Sequence, residues 1–282
     1  MDEKKARNRQ NATGAVSGLP GNLRRKISTT ARVVLLFKNW PYLFSVFMGL
    51  SRSAEIECVL RNGTRFKVPS TGDPIMICNI WSRRTWTPNG DEIQPYSTVV
   101  DIGAYIGAFS ILAATSAQGV RVVSYEPSPK SFESLVLNVR LNGLDNVEPL
   151  LLAVAGSAEK RKLFVIEGGE GSSLIRPISR SCSQPAEDVD CTTLTEVIRY
   201  VGRCDLLKMN CEGAEYEILL NTPEESLGQV RRMVVDCHQV NGYDVDDLKN
   251  HLEKAGFEVR LVAQHKPSHV HLHAMRRLSL AN

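Results

Sequence analysis

The stretch VVDIGAYIGA (residues 99–108) decides the fold of this 282-residue chain. Its apolar start predicts a buried strand, and the small residues that follow predict a tight turn opening into a helix. Downstream of this stretch, strand-like and helical segments alternate to the end of the chain. This alternation is typical of a mostly parallel sheet with helices on both faces, so the sequence predicts an α/β protein with a Rossmann-like sheet.

The turn at Gly103 predicts a ligand site, because small residues let a ligand approach the backbone and a helix N-terminus offers free amides. Its spacing, Gly103 and Gly107, differs from the GxGxxG of dinucleotide-binding proteins, and Tyr105 stands where the second glycine would be. A tyrosine there would obstruct a pyrophosphate. Asp101 would also repel a pyrophosphate, but it suits a cationic ligand. Charge therefore favours S-adenosylmethionine, which carries an ammonium and a sulfonium, over NAD.

The second strand of the sheet ends in Tyr125-Glu126-Pro127. An acidic residue at this point, about 20 residues after the glycine turn, is placed to bind both ribose hydroxyls of a nucleoside cofactor. From the residues alone, the expected cofactor-binding positions are Asp101, Gly103, Gly107, Glu126 and the adjoining Pro127.

These motifs resemble those of the FkbM-type methyltransferase family over about residues 35–262. The segments VVDIGAYIGAFS (99–110) and VVSYEPSP (122–129) are similar to the first two motifs of the family, and DLLKMNCEGAEYEILL (205–220) is similar to its central motif. The resemblance implies a class I methyltransferase sheet and methyl transfer from S-adenosylmethionine, usually to a hydroxyl of a glycan or natural product. It also implies cofactor contacts at Asp101, Gly103, Ala104, Tyr105, Gly107 and Glu126. The central motif usually has Asp where this chain has Asn210, so a cofactor-binding but catalytically weak member is an alternative. An NAD-dependent oxidoreductase is a second alternative.

The candidate catalytic residues follow two later strands, because ligands of open α/β sheets bind beyond the carboxyl ends of the strands. Lys208, Asn210 and Glu212 alternate on one face of an extended segment, as do Asp236 and His238. Glu212 is expected either to act as a base or hydroxyl-orienting group, or to accept amides at a helix start. His238 is expected either to accept a proton near neutral pH or to be a structural histidine. The predicted catalytic set is Glu212, His238, Asn210 and Lys208.

Two groups of side chains suggest metal binding, and we predict no metal at either. The first group is poor in carboxylates, which suits hard cations badly, and comprises Asn210, Asp236 and His238. The second group consists of three histidines that alternate along the last strand, His269, His271 and His273. Because apolar residues alternate with them, these histidines are expected on the solvated face of that strand.

Outside the sheet, we predict a disordered basic tail over residues 1–30, accessory helices and a β-hairpin over 31–96, and the methyltransferase domain over 97–282. Residues 1–32 hold eight Lys or Arg and two acidic residues, whereas the remaining chain is slightly acidic. This charge distribution argues against a globular part that binds nucleic acid. Within 31–96, residues 70–96 are expected to be irregular.

The apolar stretch 33–50 is interrupted by Lys38 and Pro41, so no membrane span is expected there. Peripheral membrane contact through the basic tail and residues 33–50 remains an alternative. The seven cysteines are odd in number and have no CxxC spacing, which indicates a reducing compartment and a cytoplasmic location.

Overall fold

A computed structural model of the chain describes residues 21–51, 55–83, 85–87, 93–164, 172–175, 187–263 and 269–277. The chain divides into two compact units, Met1–Ser82 and Arg83–Asn282. Most of the predicted disordered tail, residues 1–20, lies outside the described residues. The prediction of disorder is wrong from Gly21 onward, where a helix begins. Leu23, Ile27 and Val34 share the spacing of one helical face, a period that the sequence-based prediction overlooked.

The first unit contains helices and a hairpin. Its elements are α1 (Gly21–Leu36), α2 (Trp40–Phe47), β1 (Ile56–Val59), β2 (Arg65–Val68) and α3 (Asp73–Arg83). The antiparallel pairing of β1 and β2 confirms the predicted hairpin. The prediction of an irregular stretch from residue 70 is wrong over α3. Buried Asp73 stabilises the start of this helix, because its Oδ2 accepts a hydrogen bond of 2.8 Å from the Ser70 amide.

The second unit is built around a seven-stranded sheet. Its elements in chain order are β3 (Thr98–Ile102), α4 (Ala108–Ala114), β4 (Arg121–Tyr125), α5 (Pro129–Leu141), β5 (Val147–Leu150), β6 (Ala153–Ala155), β7 (Arg161–Leu163), β8 (Glu187–Val189), β9 (Cys191–Thr193), α6 (Leu194–Val201), β10 (Leu206–Met209), α7 (Glu215–Leu220), α8 (Glu224–Leu227), β11 (Arg232–His238), α9 (Val245–Lys254), β12 (Phe257–Ala263) and β13 (His269–Arg276). The strand order is β12-β13-β11-β10-β3-β4-β5. The pairs from β11 through β5 are parallel, whereas β13 runs antiparallel to both of its neighbours.

The chain reverses its direction of travel across the sheet between β3 and β10. From β3 it proceeds outward to β4 and β5, and it then returns to β10 and proceeds the other way to β11. Because crossovers between parallel strands are right-handed, this reversal places helices on opposite faces of the sheet. It also creates a crevice at the carboxyl ends of β3 and β10, where open α/β sheets bind ligands. The predicted α/β, mostly parallel fold is confirmed.

Two short ribbons lie between β5 and α6. The apolar run over residues 147–154 predicts one strand, but the structure has two, because β6 pairs with β9 and not with the main sheet. The sequence pattern of residues 162–166 and 172–175 predicts a hairpin insertion. Phe164 and Ser173 do bridge, but β7 pairs with β8 instead. Residues 165–171 of that expected hairpin lie outside the described residues.

Candidate functional site

The turn after β3 has a backbone that depends on its glycines. Gly103 and Gly107 have φ angles of 73° and 83°, in the left-handed region that side chains disfavour, and Tyr105 adopts a φ of 53°. The amides of Gly103 and Ala104 both donate to the carbonyl oxygen of Tyr125, at 3.0 and 3.1 Å. The turn is therefore tied to the end of β4.

Gly103 also packs against the end of β10. A Cβ placed on Gly103 would lie 2.0 Å from the carbonyl oxygen of Asn210, a separation that no real side chain could tolerate. The Asn210 amide in turn donates to the carbonyl oxygen of Ile102 at 3.0 Å. The backbones of the two strand ends at the crevice are therefore in direct contact.

Glu126 lies at the end of β4 with its side chain buried. Its Oε2 accepts a hydrogen bond of 2.8 Å from the Tyr105 amide, and its Oε1 accepts one of 3.0 Å from the Ser128 amide. Burial raises the pKa of Glu126 to about 7, although the amide hydrogen bonds from Ser128 and Tyr105 oppose this rise. Each oxygen keeps a lone pair for a further donor, so Glu126 fits its predicted role towards ribose hydroxyls.

Asp101 is fully buried, and its carboxylate contacts other side chains of the protein. Its Oδ1 forms an ion pair of 2.8 Å with Lys208 Nζ, and its Oδ2 accepts a hydrogen bond of 2.6 Å from Ser110 Oγ. The electrostatic reason given for a cationic ligand is therefore wrong, because Lys208 already neutralises the charge of Asp101. A direct contact of Asp101 with the cofactor stays a prediction.

Lys208 stabilises the glycine turn after β3, and its side chain does not face an acceptor. Its Nζ donates to the carbonyl oxygen of Gly103 at 2.8 Å and lies 5.1 Å from the ring centroid of Trp86. The side chain is only 5% exposed. Alternation along the strand placed Lys208 beside Asn210, but it could not show that the ammonium group is paired with Asp101. We therefore no longer assign Lys208 to the catalytic edge.

The start of α7 is organised by Glu215, a residue that the sequence analysis missed. Its buried carboxylate accepts hydrogen bonds from the amides of Cys211 and Gly213, at 2.7 and 2.8 Å. This is the role that was considered for Glu212. Glu212 instead has a left-handed backbone, with φ of 53°, and a side chain that is 24% exposed. An acidic residue at the start of an apolar helix was the available signal for Glu215.

His238 lies between these two carboxylates at the end of β11. Its Nδ1 is 3.1 Å from Glu215 Oε1, and its Nε2 is 3.5 Å from Glu212 Oε2. Burial disfavours the imidazolium, but the two flanking carboxylates outweigh this effect and raise the pKa of His238 to about 11. The two carboxylates therefore favour the charged form of His238, and its role as a proton acceptor stays a prediction.

The histidines of β13 face the same edge and are largely covered. His271 is buried and stacks on Trp86 with ring centroids 5.1 Å apart. The rings of His238 and His269 have centroids 4.4 Å apart, and His269 Nδ1 lies 3.3 Å from Asp236 Oδ2. The expected solvated face is therefore wrong, because β13 is inserted between β11 and β12 and Trp86 covers part of it.

The fold and the glycine turn define a class I type of methyltransferase sheet, and the comparisons with known proteins agree. The family model described as "Methyltransferase FkbM domain" matches residues 101–259, more than half of the chain. The chain belongs to the FkbM methyltransferase family, and its cofactor is S-adenosylmethionine. The family expectation is confirmed, and the alternative of an NAD-dependent oxidoreductase is wrong.

Two relatives illustrate the family. The 31-O-demethyl-FK506 methyltransferase FkbM of Streptomyces tacrolimicus is 27% identical over 253 residues, which cover 77% of this chain and 95% of that protein. The methyltransferase sdnD of Sordaria araneosa is 27% identical over 191 residues, which cover 57% of this chain and 73% of that protein. Among solved structures, M. jannaschii TYW2 in complex with AdoMet is 20% identical with a TM-score of 0.44, and the match covers 80% of this chain and 89% of that one.

No helix within the described part of the chain is both long and apolar enough to cross a membrane. The short helix α2 exposes apolar side chains, including Phe44, at its surface. Peripheral membrane contact and a cytoplasmic location both stay predictions.

Proposed function

We propose that this methyltransferase methylates a hydroxyl oxygen on a small-molecule natural product or a glycan. One observation carries the proposal: Glu212, at the crevice end of β10, presents a partly exposed carboxylate to the site. A carboxylate there can accept the proton of a hydroxyl as its oxygen becomes a nucleophile. The name of the FkbM relative, a 31-O-demethyl-FK506 methyltransferase, is consistent with an oxygen acceptor on a small molecule.

The cofactor supplies a methyl group on a positively charged sulfur, which is a good leaving group. The contribution of the chain is to bind and align. The left-handed turn at Gly103 exposes backbone to the cofactor, and Glu126 accepts its ribose hydroxyls. Glu212 then receives the proton of the acceptor.

A cofactor-binding but weakly active protein is the second candidate, and Asn210 favours it. Its Oδ1 is buried without a hydrogen-bond partner, at the position where the family usually has an acid. If that acid contributes to turnover, Asn210→Asp raises kcat and leaves the affinity for cofactor unchanged.

The test uses the purified full chain with methyl-labelled S-adenosylmethionine and a set of hydroxyl-bearing polyketides and glycosides. We expect a labelled methyl ether, identified by mass spectrometry and by its stability to mild base. Glu212→Gln is expected to lower kcat about 10²-fold or more while the affinity for S-adenosylhomocysteine is kept. The control is Glu225→Gln, on the surface helix α8. Label on nitrogen or carbon, or an unchanged kcat in Glu212→Gln, would contradict the proposal.

A further inference from the structure

A second cluster of potential ligands lies beside Glu212, on the antiparallel half of the sheet. Asp236 and His238 alternate along β11, so their side chains share one face. The register of β11 with β13 pairs His238 with His269 and Asp236 with His271. Residues distant in sequence therefore meet on one face of the sheet, at the crevice end of β11.

The geometry of three of these side chains suits a metal ion. One ligand atom from each of Asp236, His238 and His269 lies within 4.8 Å of the other two, and the structure shows no second such group among the residues it describes. Metal–ligand bonds of about 2.1 Å place coordinating atoms about 3–4 Å apart, so a modest closure completes the set. The contact of 3.3 Å between His269 Nδ1 and Asp236 Oδ2 already has this spacing.

Residues around these three side chains hold them in place, as the residues that contact the ligands of a metal site do. Glu215 Oε1 contacts His238 Nδ1, and two backbone amides fix Glu215 in turn. A carboxylate on the far nitrogen of a ligating histidine fixes its ring and raises its basicity. His238 Nε2 and Asp236 Oδ1 are buried and make no hydrogen bond; the ionisable groups facing them, Glu212 Oε2 and His271 Nε2, are each 3.5 Å away. Unpartnered buried polar atoms of this kind are costly unless a ligand satisfies them.

We propose that Asp236, His238 and His269 bind a divalent transition-metal ion. Two imidazoles and one carboxylate suit zinc, iron(II), cobalt or nickel, whereas magnesium and calcium prefer sets of oxygen atoms. The nearby carboxylates of Glu212 and Glu215 favour a cation at this position. The prediction of no metal from the sequence treated Asn210, Asp236 and His238 separately from the histidines of β13, so it did not bring His269 beside Asp236 and His238.

The site has a consequence for the acceptor, and this part rests on the proposed function. Three protein ligands leave coordination positions open for oxygen atoms of a substrate. A hydroxyl bound to the ion would have a lowered pKa, close to the carboxylate of Glu212. An acceptor with two adjacent oxygens, such as a vicinal diol or an α-hydroxy acid, could occupy two open positions at once.

The experiment uses the full chain, stripped with a chelator and titrated with Co²⁺ and with Zn²⁺ alone. We expect one ion per chain by calorimetry, and visible d–d absorption bands when Co²⁺ binds. Asp236→Asn and His269→Gln are expected to weaken binding at least tenfold and to alter the Co²⁺ spectrum. His273→Gln is the matched control, because this histidine lies on the same strand and face but outside the set of three ligands.

Thermal unfolding and binding of S-adenosylhomocysteine show whether each variant keeps its fold and its cofactor site. Co²⁺ binding that is unchanged in both ligand variants, or absent at millimolar Co²⁺ in the folded wild-type chain, would overturn the metal site. Failure to methylate hydroxyl acceptors with metal bound would overturn the proposed function and leave the metal site standing.

Discussion

The two halves of the crevice edge are built differently. The cofactor half, from Gly103 to Glu126, is held by backbone: left-handed glycines, amides on a carbonyl oxygen, and amides on a carboxylate. The acceptor half, at the ends of β10, β11 and β13, is held by side chains, namely carboxylates and imidazoles that contact each other across strands. The cofactor half therefore tolerates few substitutions at its glycines, whereas substitution of side chains can change the chemistry of the acceptor half.

The strongest test of the backbone half is Gly103→Ala. The new Cβ would overlap the carbonyl oxygen of Asn210, and the residue would be held at a left-handed φ. We expect a loss of about 2–5 kcal/mol in the free energy of unfolding and no detectable binding of S-adenosylhomocysteine by calorimetry.

The matched control for this variant is Gly143→Ala. Gly143 also has a left-handed φ, of 63°, but nothing lies within 4 Å of a Cβ placed there. It should lose only about 1–2 kcal/mol, from backbone strain, and keep its affinity for the cofactor product. Equal losses in the two variants would show that the contact with Asn210 does not matter.

A smaller effect is expected from Glu215→Gln, which weakens the side-chain half. The amide group can accept only one of the two buried backbone hydrogen bonds, and its NH₂ group opposes a donor. We expect a loss of about 2 kcal/mol in the free energy of unfolding, measured by denaturant titration. The control is Glu217→Gln, two residues further along α7. This variant removes a partly exposed ion pair with Arg161 and should cost less than about 1 kcal/mol in the free energy of unfolding.

The smallest effect concerns pH and returns to the cofactor half. Because the pKa of Glu126 is raised to about 7, the carboxylate becomes protonated as pH falls through this value. A protonated Glu126 can accept fewer hydrogen bonds from ribose hydroxyls. We expect the affinity for S-adenosylhomocysteine to fall about tenfold between about pH 8 and about pH 6.

In Glu126→Gln this pH dependence should disappear. Ionisation of the ligand itself affects both proteins equally, so it cancels when the two are compared. The variant should also bind the ligand about 1–3 kcal/mol more weakly than the wild-type protein at high pH. A wild-type affinity that does not change with pH would remove Glu126 from the ribose site.

The cofactor half could be predicted from the sequence because its residues are local. A strand, a glycine turn and an acid about 20 residues later form a pattern along the chain, and the structure brings Gly103 and Glu126 to one turn. The charge of Asp101 was misjudged because its partner, Lys208, comes from a strand more than 100 positions away. A pattern of neighbouring residues cannot reveal a pair so far apart in the sequence.

The acceptor half could not be predicted in the same way, because it depends on strand order. Alternation correctly placed His269 and His271 on one face of a strand, but it could not show which strand lies beside them. Only the insertion of β13 between β11 and β12 turns that face towards Asp236 and His238. Glu215 was missed because the sequence analysis considered only Glu212 for the role of accepting amides at the helix start.

The strand β13 lies beyond residue 259, where the match to the family model ends. It forms an antiparallel ribbon with β12. The histidines therefore lie on a contiguous segment that takes no part in the pairing of the parallel strands with each other. The proposed metal site therefore draws on both sides of that boundary: Asp236 and His238 belong to the stretch that matches the family, and His269 does not.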